Sequence, residues 1–141
     1  MNNKAACLNY QDIKIGEVYK FTRQITQQDV NVFVKLTGDF NPLHTDEIYG
    51  QKSKFGNKIV HGMLVGSLFS TLVGMYCPGE KCLYLSQALC FKKPIFPNDK
   101  VKVKGTVMNK NDSVKIITIK TEIFKNNILA ISGEAKVSFL E

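Results

Sequence analysis

The C-terminal stretch of the chain constrains the fold most. From residue 100 onward it reads KVKVKGTVM, SVKIITIKTEIF and ILAISGEAKVSFL, separated only by NKND and KNN. Apolar and polar residues alternate in these segments, with Val101 and Val103 on the face opposite Lys102. Alternation at period two sets one face of a strand on a core and the other in water. Connectors this short return a strand beside its predecessor, so the pattern predicts antiparallel hairpins. CLYLSQALCFKKPI at 82–95 is a further strand candidate. So is GEVYKFTRQIT at 16–26, where Val18, Phe21 and Ile25 are apolar among polar neighbours after a turn at Gly16.

Between these strands the period changes. In TQQDVNVFVKLTG, Val30, Phe33, Val34 and Leu36 fall on a helical stripe, with Thr26 placed to cap its start and Gly38 to stop it. TDEIYGQKSKFGNK predicts a short helix, with Asp46 and Glu47 as first-turn acids, and then a Gly/Lys-rich loop. The most apolar segment is 59–76. Its residues Met63, Leu64, Val65, Leu68, Phe69, Leu72, Val73 and Met75 cover more than one face, which predicts a helix buried nearly all round and ended by Pro78 and Gly79. Gly66, Ser70 and Gly74 recur every four residues, a stripe of small side chains along which another backbone could lie close. One buried helix with a long antiparallel sheet gives an α+β architecture, the sheet wrapped around the helix, in a single domain over residues 1–141. The strands at 83–91 and 100–108 are expected to leave one sheet edge unpaired, an edge that a second subunit would cover.

Composition narrows the function classes. The formal charge is +7, which suits phosphate-bearing ligands or an acidic carrier protein. The lysines are scattered and not interleaved with aromatic stacking platforms, so nucleic acid is not an expected partner. The longest uncharged run, GMLVGSLFSTLVGMYC, is broken by three glycines and is shorter than a membrane span. The N-terminal residues show no apolar signal core, and the expectation is a soluble cytoplasmic protein without membrane contact. Four cysteines without zinc-type spacing and only two histidines give no metal site, and no cofactor is expected.

Chemistry concentrates in GDFNPLHTD at 38–46, which gathers Asp39, Asn41 and His44. The apolar helix that follows begins at VHGML, placing the N–H of Gly62 near its N-terminus, where unpaired N–H groups can stabilise an oxyanion. An acid/base pair beside such a helix end is equipment for chemistry alpha or beta to a carbonyl. On residues alone, Asp-x-Asn-Pro is equally a turn sequence carrying a surface histidine. His61, beside Gly62, reads as a structural residue hydrogen-bonded to backbone at the helix start.

GDFNPLHTD followed by FGNKIVHGMLVGSLFS resembles the hydratase signature of the MaoC-like hot-dog family, in particular its (R)-specific enoyl-CoA hydratases. The similarity continues through YLSQALCFKKPIFPNDKV and SGEAKV and so covers nearly the whole chain. The resemblance implies a hot-dog fold assembled as a homodimer or dimer of dimers. It implies an acyl-CoA substrate, with Asp39 and His44 as the acid/base pair and Asn41 in support. It further implies Gly62 N–H as oxyanion donor and Ser70 as a polar residue near the site. The implied reaction is hydration of trans-2-enoyl-CoA to (R)-3-hydroxyacyl-CoA. Its rivals are dehydration on acyl carrier protein and a non-catalytic acyl-CoA-binding module; the intact motif disfavours the latter, and disfavours a thioesterase.

Overall fold

The computed structural model describes residues 3–140. Strands β1 (Val18–Gln24), β2 (Cys82–Phe91), β3 (Lys100–Asn111), β4 (Ile116–Lys125) and β5 (Ile128–Phe139) form one antiparallel sheet in the order β1-β3-β4-β5-β2. Register follows the apolar alternation: Val103 lies opposite Ile123, and Ile123 opposite Ile131, so three inward side chains line up across three strands. The β4–β5 turn is made by Asn126 and Asn127, whose φ angles of 48° and 61° are the left-handed pair a tight hairpin needs and that Asn tolerates. The β3–β4 turn lies later than NKND suggests. A bulge after Val107 shifts the register so that Asn111 still pairs with Ile116, and the Asn111 side chain then accepts from Ser113 N at 3.1 Å.

Helix α1 (Gln27–Thr37) has the boundaries expected. Thr26 Oγ1 accepts from Asp29 N and the Asp29 carboxylate accepts from Thr26 N, a reciprocal capping box. Gly38 ends the helix at φ 75°. Two short helices follow, α2 (Pro42–Thr45) and α3 (Glu47–Lys52). Asp46 caps α3 by accepting from Tyr49 N, and Glu47 pairs with Lys58 at 3.3 Å.

The apolar segment departs from the expectation of one long helix buried nearly all round. It comprises α4 (Gly62–Gly66), α5 (Leu68–Thr71) and a wide π turn over Leu72–Tyr76. The Ser67 hydroxyl donates back to Leu64 O at 2.6 Å where α4 gives way to α5, a bond that competes with regular helix. Val65, Phe69, Leu72 and Val73 are buried, whereas Met63, Ser67 and Ser70 are exposed, because the sheet of one chain covers only one side. The small-residue stripe does not hold a second backbone: Gly66 is met by the Leu89 side chain, and nothing approaches Gly74 within 4 Å.

The helical segment seated on the concave sheet is the hot-dog arrangement. Phe69 and Leu72 pack with Val30 and Val34 of α1 and with Val101, Val103, Ile123 and Ile131 of the sheet. Val73 and Cys77 continue the core against Val107, Ile117, Ile119 and Val137. Each fully buried side chain of this size contributes about 1.5–3 kcal/mol by leaving water. β2 is an edge strand as expected, but the strand at 100–108 is interior, because β1 pairs with it. No helix among the described residues is long and apolar enough to cross a membrane.

Candidate active site

The residues at 38–46 build a rigid knot from their own hydrogen bonds. Gly38 turns the chain out of α1, and Asp39 N then donates to Thr37 Oγ1. The Asp39 carboxylate accepts from Asn41 N at 3.1 Å, and the Asn41 side chain accepts from Leu43 N at 3.0 Å. Asn41 is thus the N-cap of α2, and Pro42, with no N–H to satisfy, fills the first turn. Asn41 is thereby joined directly to the Asp39 carboxylate. The turn reading holds, and the turn fixes where the Asp39 and Asn41 side chains stand.

The knot is laced to the chain that leads into α4. Ile59 N donates to Leu43 O, and His44 Nδ1 lies 2.8 Å from Ile59 O. A carbonyl only accepts, so Nδ1 of His44 carries a proton, and Nε2 is the ring nitrogen left to exchange a proton with a water. His61 Nε2 likewise lies 3.2 Å from Asp39 O. The expected backbone hydrogen bond of His61 is present, and it crosses to the candidate catalytic loop.

Asp39, His44 and His61 each bring one donor atom within 4.8 Å of the others. Two hydrogen bonds of about 2.8 Å meeting at one water span up to roughly this distance, so the carboxylate and the His44 ring are close enough to share one water. The Asp39 side chain is half exposed, while His61 is buried. The two imidazoles stack with centroids 3.8 Å apart and planes 29° apart, and Phe33 of α1 closes the far side of His61 at 4.9 Å. Burial holds the His61 ring below the ordinary histidine range; the nearby His44 pushes the same way, against the carbonyl and carboxylate of Asp39. The three donors could in principle face a metal ion. Stacked rings, however, carry their in-plane lone pairs in nearly parallel sheets rather than toward a common point, and two of the four ring nitrogens are already committed, to Ile59 O and to Asp39 O.

Gly62 begins α4, immediately after His61. It lines a groove of about 470 Å³ with Phe55, Met63, Phe91 and Lys92, while His44 lines a smaller cleft of about 250 Å³ with Phe40 and Lys58. His61 stands between the two. A Cβ at Gly62 would meet the Phe91 ring at 2.8 Å, so the missing side chain is where that ring rests. Sequence reading did not reach Phe91, which comes from the end of β2 and reveals its place only through packing. Ser70 lies eight residues beyond Gly62, roughly 12 Å along a helix of this pitch, and is exposed.

The MaoC like domain family matches residues 11–140. The chain is 37% identical to the (R)-specific enoyl-CoA hydratase of Aeromonas caviae over 92% of this chain and 98% of that one. It is 33% identical to a mitochondrial 3-hydroxyacyl-[acyl-carrier-protein] dehydratase of Arabidopsis thaliana, covering 87% of this chain and 75% of the relative. Among solved structures, the R-hydratase PhaJ1 from Pseudomonas aeruginosa in the unliganded form superposes with a TM-score of 0.91 at 30% identity, over 97% of this chain and 88% of that one.

Proposed function

As the chain belongs to the MaoC-like domain family, we propose that it adds water reversibly to trans-2-enoyl-CoA and gives (R)-3-hydroxyacyl-CoA. The observation that carries this reading is the Asp39 carboxylate and the His44 ring within one water's span, on a loop tied to the segment that enters Gly62. Attack at C3 of an enoyl thioester drives charge onto the thioester oxygen, and C2 must gain a proton. Asp39 and His44 hold one water from one side of the alkene, remove its proton as it attacks, and return a proton to C2, which gives syn addition. General acid/base help of this kind contributes about 10²–10⁴-fold. The N–H of Gly62 receives the developing oxyanion, and Asn41 keeps Asp39 aimed. Ser70, on the exposed face of the same helical segment, stands outside these steps.

Crotonyl-CoA treated with the purified protein is expected to yield (R)-3-hydroxybutyryl-CoA, read by chiral analysis of the product. The (S) product, free CoA, or no turnover on enoyl-CoAs of four to twelve carbons would each defeat the reading. The carrier-linked reading has support from the plant dehydratase relative and from the +7 charge. Rates on matched CoA and carrier-protein substrates separate the two.

We also propose a homodimer, alone or paired into a dimer of dimers. β2 has a neighbour on one side only and exposes Leu83, Leu85 and Phe91. An apolar edge of that kind is an aggregation liability unless a copy covers it. Sedimentation velocity should show a dimer or tetramer at micromolar concentration; a stable, active monomer would refute it.

A further inference from the structure

His61 has no role in the steps above, yet it touches every part that takes one. Its Nε2 meets Asp39 O at 3.2 Å and lies 3.7 Å from the Asp39 carboxylate. Its ring carries the stacked His44 ring, and its own carbonyl opens α4 by accepting from Val65 N, with Gly62 next in the chain. Because Asp39 O can only accept, Nε2 must bear the proton. That leaves the lone pair on Nδ1, which is buried without a hydrogen-bond partner. A second proton there would be a buried donor with no acceptor, a costly arrangement. The titratable groups facing the ring are Asp39 from the loop and His44 from α2; from α1 it meets only Phe33.

We propose that His61 is the positioning residue of the hydration reaction: a neutral imidazole that ties the Asp39 main chain with its N–H, supports His44 with its face, and so holds the acid/base pair in register with the Gly62 N–H. This rests on the function proposed above. Neutrality matters to the role, because His44 gains positive charge when it takes a proton and a charged ring stacked beneath it would oppose that step. Register matters because a displacement of about 1 Å at a reacting group costs up to roughly 10²-fold.

Two variants and one spectrum test it. His61→Phe keeps a ring under His44 but cannot donate to Asp39 O; His61→Gln loses the ring but keeps an amide donor near the same place. With crotonyl-CoA, His61→Phe is expected to lower kcat by about 10- to 100-fold, with KM changed by no more than about threefold. His61→Gln should recover part of that loss. Histidine ring ¹⁵N spectra of the unliganded wild-type protein should show His61 as the Nε2–H tautomer, protonating only below the ordinary histidine range, and His44 with its proton on Nδ1. A folded His61→Phe with wild-type kcat, or His61 found as the Nδ1–H tautomer, overturns the proposal. Should His61→Phe fail to fold, His61→Gln and the spectrum decide. The spectrum needs no turnover, so a wild-type protein that hydrates nothing would defeat the proposed function while the tautomers still judge the positioning role.

Discussion

Asp39→Asn and His44→Ala are each expected to lower kcat for enoyl-CoA hydration by about 10²–10⁴-fold or more, a barrier increase of roughly 2.7–5.5 kcal/mol. Both variants should stay folded. An Asn at 39 keeps a side-chain oxygen to accept from Asn41 N, so the knot retains its bond and loses only the charge and the basicity. Alanine at 44 gives up the bond to Ile59 O, but Ile59 N still donates to Leu43 O, so the loop stays laced to the helix entry. The double variant should be little slower than the worse single one, because the two side chains act on one water and the second loss removes nothing that still works. Steady-state rates with circular dichroism as the folding control make the measurement. Near-wild-type hydration by either folded single variant removes that residue from the mechanism.

The second large effect is expected at Gly62, where two substitutions separate two causes. Gly62→Pro deletes the backbone N–H, and proline is otherwise at home there. The first position of a helix suits it, and His61 before it sits at ψ 129°, clear of the α region that a following proline disfavours. Gly62→Ala keeps the N–H. Both add a Cβ against the Phe91 ring, which would stand only 2.8 Å away and must swing aside. If the N–H receives the oxyanion, proline costs about 10²–10³-fold in kcat and alanine markedly less. Equal losses would mean that the crowded ring, and not the missing donor, does the damage. Comparing Gly62→Pro/Phe91→Ala with Gly62→Ala/Phe91→Ala, the crowding relieved in both, then reports the donor alone.

Local chemistry was the legible part of this chain. Thr26, Asp29 and Gly38 bound α1 as their side chains and conformational freedom require, and the strand alternation gave the antiparallel sheet. Asp39, Asn41 and His44 sit within six positions, so their turn could be read from neighbours alone. What stayed hidden depends on contacts between distant residues. The stack of His44 on His61 joins positions seventeen apart, and the Phe91 ring over Gly62 joins positions twenty-nine apart. The division of the apolar run at Ser67 and its π turn were masked by an apolar pattern that runs on through Gly66, Ser67 and Gly74 without a proline. Its many apolar residues also implied burial on all sides, although one chain supplies cover on one side only.

All the residues given a part in the chemistry, Asp39, Asn41, His44, His61 and Gly62, come from a single window of the chain, and none comes from the five strands. On the proposed reading the reacting apparatus is one continuous cassette, tied by hydrogen bonds between its own main-chain and side-chain atoms. Substitutions in β2 or at the far end of the helical segment can reshape the space offered to a substrate without disturbing those bonds. For laboratory evolution this separates two searches: libraries at Phe91 and Ile131, which line the groove beside Gly62, should shift which acyl chains are accepted, while the window at 39–62 is best left untouched.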